Sequence, residues 1–137
     1  MTKKELRKIK ESYSNNNILM VGFNRRFAPL IIELEKILKN LNGPKSFIYT
    51  CNAGFIDSSH WTQDRKIGGG RLLGEACHFI DLIRFLVGSP ISDISVIYQD
   101  DNFKNKDTFV ITLSFVDGSI GTINYFSNGN KTFPKER

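Results

Sequence analysis

The sequence predicts an α+β domain, with an open and mainly antiparallel sheet carrying helices on one face. A helix and strand of the kind that end a doubly wound domain precede it. Three observations predict this. Runs of alternating apolar and polar residues recur in the second half, amphipathic stretches between them end at glycine and proline, and one wholly apolar run near the N-terminus has no second strand of its kind.

In order, residues 3 to 13 (KKELRKIKESY) are charged helix formers with Leu6, Ile9 and Tyr13 at helical spacing, closed by the polar run from Ser14 to Asn17. Ile18 to Phe23 is apolar throughout and too short for a helix, so it reads as a strand buried on both faces. Leu30 to Leu41 repeats apolar residues at helical spacing before Asn42-Gly43-Pro44. Lys45 to Ile56 alternates as a strand, with Phe47, Tyr49 and Cys51 on one side. After Gly68-Gly69-Gly70 a helix is predicted from about Leu72 to Val87, stopped by Gly88-Ser89-Pro90. Ile91 to Gln99 is a further strand, and Thr108 to Phe115 joins Ser119 to Phe126 through Asp117-Gly118 as a hairpin. The boundaries follow: residues 1–23 as the last αβ unit of a preceding domain, and 24–137 as the α+β domain. The chain is expected to begin partway through a longer protein and to stop before its sheet is closed.

The 137 residues suffice for one core. The net charge of +5 lies at the two ends: residues 1 to 11 hold five basic and two acidic side chains, residues 131 to 137 hold three and one, and the remainder is balanced. No basic face interleaved with exposed aromatics appears, which argues against nucleic acid as a partner. There is no apolar run of about 18 residues and no secretory leader, so a cytoplasmic location without membrane insertion is expected. Cys51 and Cys77 form no CxxC pair and are expected as free thiols.

The chemistry-bearing residues cluster around GGGRLLGEACHFID. At about 100° per residue, Ala76, Phe79, Ile80, Ile83 and Val87 share the core-facing stripe, while His78 falls opposite with Gly74, Glu75 and Leu82. A histidine there can exchange protons near neutrality in a cleft closed by a second domain, and it can equally be a partly exposed helix histidine paired with Glu75. Gly68, Gly70 and Gly74 do not make a GxGxxG fingerprint, so no cofactor-binding residue is assigned. His60, Cys77 and His78 supply no four-ligand metal set.

The stretches VGFNRRFAPL, CNAGFIDSSHWTQD, GGGRLLGEACHFIDLIRFLVGSPI and GSIGTINYFSNGNKTFPKER, in this order from about residue 18, resemble the glucose-fructose oxidoreductase, inositol dehydrogenase and MocA (Gfo/Idh/MocA) family. They look most like its bacterial bi-domain branch found with polysaccharide biosynthesis. The resemblance implies a C-terminal α+β domain that binds substrate against a Rossmann domain holding NAD or NADP, and that pairs subunits through its sheet as a homodimer or higher homo-oligomer. It implies that VGFNRRF crosses between the domains. It places His78 at the family's catalytic histidine and Gly74 where an aspartate is usual, with Glu75 next to it as a further catalytic candidate. The family's GxGxxG and EKP motifs do not occur in this sequence.

Asn24, Arg25 and Arg26 then stand where the crossing approaches substrate, and Trp61 and Arg71 near the glycines join them as candidate substrate-binding residues. Arg25 and Arg26 can alternatively bind carboxylates at a domain interface, and Trp61 can be a core anchor. The reading is an NAD(P)-dependent dehydrogenase of a sugar, nucleotide-sugar or cyclitol hydroxyl, inactive as this chain alone. The alternative is a non-catalytic dimerisation or assembly module.

Overall fold

The computed structural model describes residues 2–14, 16–64, 66–100, 106–130 and 132–136. Helix α1, Lys3–Ser12, is capped by a reciprocal box in which the Thr2 hydroxyl accepts from the Glu5 N–H and Glu5 accepts from the Thr2 N–H, and it buries no residue. A 3-10 turn over Asn24–Phe27 leads into α2, Pro29–Lys39, with proline at its first position. Strand β1, Ser46–Asn52, follows. The chain then runs through the short turn Trp61–Gln63 and the glycine loop into a π-helical turn, Leu72–Ala76, and helix α3, Cys77–Val87. Strands β2, Ile91–Tyr98, β3, Phe109–Phe115, and β4, Ile120–Phe126, complete the described elements.

The four strands make one open sheet in the order β1-β4-β3-β2, with β1 parallel to β4 and the other two pairs antiparallel. The mainly antiparallel prediction therefore holds, and so do all four strands predicted within residues 24–137. Period two decides the faces. Phe109, Ile111, Leu113 and Phe115 of β3 lie with Ile123 and Tyr125 of β4 under α3, which contributes Phe79, Ile83 and Val87 to the same core. Phe109 and Tyr125 are register partners, and their rings stack at 4.7 Å. Gly121 lets helix and sheet approach closely, because a Cβ there would lie 2.9 Å from Ile83 Cγ2. The opposite face carries Ile48, 77% exposed, with Ile97 and Ile120, so one side of the sheet is open.

Three expectations need correction. Residues 18–23 form no strand, and Ile18 and Met20 are 101% and 85% exposed. A doubly buried strand needs hydrogen-bonding neighbours and two covering layers, and the described residues offer neither. The predicted helix from Leu72 is also not uniform, since its first turn is π rather than α. Leu82, expected to face away from the sheet into an open cleft, is buried because α2 and the Asn24–Phe27 turn lie against α3.

Candidate active site

The glycine loop is folded by its own backbone. The Asp64 carbonyl accepts from the Gly68 and Gly69 N–H groups at 2.8 and 3.1 Å, and the Asp64 carboxylate accepts from Lys66 N–H at 2.7 Å. Gly69 and Gly70 have φ of +76° and +75°, and a Cβ on Gly68 would lie 2.5 Å from the Thr62 backbone. These glycines serve the turn onto residues 61–63. They make no GxGxxG dinucleotide cradle.

Arg71, at the entrance to the π turn, is 3% exposed. Its Nη1 donates to the Gly54 carbonyl at 2.7 Å and its Nε to the Tyr125 hydroxyl at 2.6 Å; the guanidinium also lies 5.2 Å from the Tyr125 ring centroid. Tyr125 in turn donates to Glu75 Oε2 at 2.7 Å, and Glu75 Oε1 lies 3.3 Å from Arg71 Nε. Burial and the hydrogen bond to Glu75 push the Tyr125 phenol well above its ordinary range, which keeps it a donor. Glu75 thus faces the sheet and makes no hydrogen bond or ion pair to His78. The i−3 spacing that brought them together assumed about 100° per residue, and a π turn winds more slowly.

His78, in the first turn of α3, is partly buried, and its ring meets Phe23 edge-on at 5.5 Å and 89°. Phe23 directly precedes the Asn24–Phe27 turn, so the histidine sits where α3 and the start of that turn meet. Three residues further along, Asp81 is buried and takes a bidentate pair of bonds from Arg26, with Nε to Oδ2 at 2.6 Å. This raises the pKa of the Arg26 guanidinium. Arg25 reaches the other way. Its Nη2 donates to Glu136 Oε1 at 2.8 Å, its Nη1 to the Tyr49 hydroxyl at 3.3 Å, and its guanidinium lies 4.6 Å from the Phe79 ring centroid. Tyr49 donates to Glu136 Oε2 at 2.8 Å, and the Arg25 bond holds the Glu136 carboxyl below its ordinary range.

The seven candidate residues therefore divide. His78 lies beside Phe23, and Asn24 and Trp61 are exposed, Trp61 with His60 alongside at 5.9 Å between centroids. Arg25 and Arg26 hold carboxylates of this chain, and Arg71 and Glu75 join an interior circuit. Both cysteines are free, and burial pushes the Cys51 thiol up to about 11. A cleft of about 550 Å³ beside Gly69, Gly70, Leu73, Tyr98 and Lys106 does not include His78. Sequence reasoning missed Asp81, Tyr49, Tyr125 and Glu136 as the partners of these groups. Asp81 was findable as the acidic residue one turn beyond His78. Tyr125 was findable as a tyrosine on the apolar face of a strand, where a buried hydroxyl needs a partner.

A family model for the C-terminal alpha/beta domain of the Gfo/Idh/MocA oxidoreductase family matches residues 35–136. The myo-inositol 2-dehydrogenase of Thermotoga maritima is 27% identical in an alignment 124 residues long that covers 85% of this chain and 36% of that enzyme. The chain thus spans about a third of the length of that relative. Among solved structures, levoglucosan dehydrogenase in complex with NADH and levoglucosan aligns with a TM-score of 0.76 at 22% identity, over 93% of this chain and 39% of that one. The WlbA dehydrogenase of Bordetella pertussis, in complex with NADH and UDP-GlcNAcA, aligns with a TM-score of 0.68 at 20% identity, over 94% and 41%. At such identities the structures speak to the fold, which agrees with the sheet and helix order found here. The match over residues 35–136 and the topology together place this chain in the Gfo/Idh/MocA oxidoreductase family, as its C-terminal α/β domain.

Proposed function

We propose that this chain is the substrate-side part of an NAD(P)-dependent dehydrogenase that acts on a hydroxyl of a sugar, nucleotide sugar or cyclitol. His78 carries the reading, because it is the one imidazole of the family motif and stands against Phe23, within the segment read as crossing between the domains. NAD or NADP, held by a domain outside this chain, supplies the hydride acceptor. The chain's own part is to hold the substrate hydroxyls and to take up or return the proton of the reacting hydroxyl through His78, an imidazole that can both accept and donate a proton. Asn24 and Trp61 are the exposed groups available to a sugar, one as a hydrogen-bonding amide and the other as a stacking surface. Arg25 and Arg26 act on the substrate only by exchanging their present carboxylates, and Glu75 and Arg71 act through the interior.

Support for the substrate class comes from the relatives, which include a myo-inositol dehydrogenase and structures holding levoglucosan and UDP-GlcNAcA. The open sheet face with Ile48, Ile97 and Ile120 is the surface through which the protein pairs with a second copy. The same reading assigns the protein to the cytoplasm and to polysaccharide biosynthesis; no helix among the described residues is long and apolar enough to cross a membrane. Residues 1–23 are read as the end of the nucleotide-binding domain, their apolar side chains covered there. The test is to assay the full-length protein and this chain separately for reduced dinucleotide formation on a panel of cyclitols, sugars and nucleotide sugars. Turnover by the first and none by the second is expected. No turnover by the full-length protein on any of them, with bound dinucleotide verified, overturns the reading in favour of an assembly module.

A further inference from the structure

We infer that Arg71, Glu75 and Tyr125 are positioning residues for His78, locking the π turn that sets the direction in which the histidine leaves its helix. The inference rests on the proposed role of His78 and adds what holds it. A π turn is rarer and less favourable than the α-helix into which it could relax, so it persists where side chains hold it. Here Arg71 stands at its start, Glu75 lies inside it and Tyr125 lies on β4 beneath it. The three close on one another through the 2.6 Å Arg71–Tyr125, 2.7 Å Tyr125–Glu75 and 3.3 Å Arg71–Glu75 contacts, and Arg71 is tied to the loop by the Gly54 carbonyl.

The circuit is buried at its centre, with Tyr125 fully enclosed and Arg71 at 3% exposure, so losing one member leaves a polar group in the interior without its partner. Glu75 points to the sheet while His78, three residues on, meets Phe23. In a continuous α-helix these residues would lie about 60° apart around the axis and share a face. Relaxation of the turn therefore moves either Glu75 off Tyr125 or His78 off Phe23. With Glu75 held, the imidazole keeps its direction.

The test reads His78 directly in this chain by nuclear magnetic resonance, through the Phe23–His78 ring contact and the imidazole shifts. His60 serves as the internal reference and the amides of β2 and β3 report the fold. Tyr125→Phe, which keeps the ring and removes the hydroxyl, and Glu75→Ala are expected to weaken the Phe23–His78 cross-peak at least two-fold and to move the His78 signals while those of His60 stay. Glu75→Gln, which retains an acceptor for Tyr125, is expected to restore them. Unchanged His78 signals in a folded Tyr125→Phe protein overturn the proposal. Global unfolding of Tyr125→Phe also overturns it, since the circuit would then serve the fold as a whole. No activity is read, so an inactive full-length enzyme or a dispensable His78 leaves this result interpretable.

Discussion

Ile123 and Ile18 are the same residue with opposite fates. Ile123 sits in β4 between β1 and β3, under α3, and is 0% exposed; Ile18 sits in an equally apolar run and is 101% exposed. The difference lies in partners. The second half of the chain supplies both strands of the hairpin, the parallel strand β1 and a covering helix. The first 23 residues supply one helix with no buried residue and an apolar run with no strand beside it among the described residues. Apolar composition states what a segment can bury, and only the neighbouring elements decide whether it does.

The contrast can be broken by making the same change twice. Ile123→Ala removes core contacts and is expected to cost about 2–5 kcal/mol, measured as a fall in the denaturant midpoint at constant slope. Between the regions stands the Arg25–Glu136 pair, which ties the Asn24–Phe27 turn to the far end of the described chain. Because the folded Glu136 carboxyl is held below its ordinary 4.5, its contribution is full above that value and is lost as pH falls through the lower folded pKa. Glu136→Gln is therefore expected to cost on the order of 1 kcal/mol near neutrality, since the pair is partly open to water. That deficit against the parent should shrink in thermal melts below about pH 4.5. The smallest effect belongs to Ile18→Ala, expected to change stability by less than about 0.5 kcal/mol. A cost comparable to that at Ile123 would mean that the N-terminal run packs within this chain.

Much of the sheet and its helices was legible because their signals are local. Alternation placed β1 to β4 to within a few residues, Asp117-Gly118 marked the hairpin, and helical spacing found α1 and α2. The run at 18–23 misled for a physical reason, since strand periodicity reports a suitable segment and carries no information about its neighbour. The candidate site was less legible. His78 was found from its motif, but the π turn has no period that a 100° wheel can display, and it turned Glu75 to Tyr125, 50 residues away. Arg25 and Glu136 are 111 residues apart, a separation at which spacing says nothing.

His78 itself is where the account is most exposed. In the full-length protein, His78→Asn should keep the fold while lowering the rate of hydride transfer by about 10²–10⁴-fold. A single-turnover measurement of dinucleotide reduction reads that rate. Parent-like rates in a folded His78→Asn enzyme would contradict the assignment and leave His78 as a helix histidine resting on Phe23.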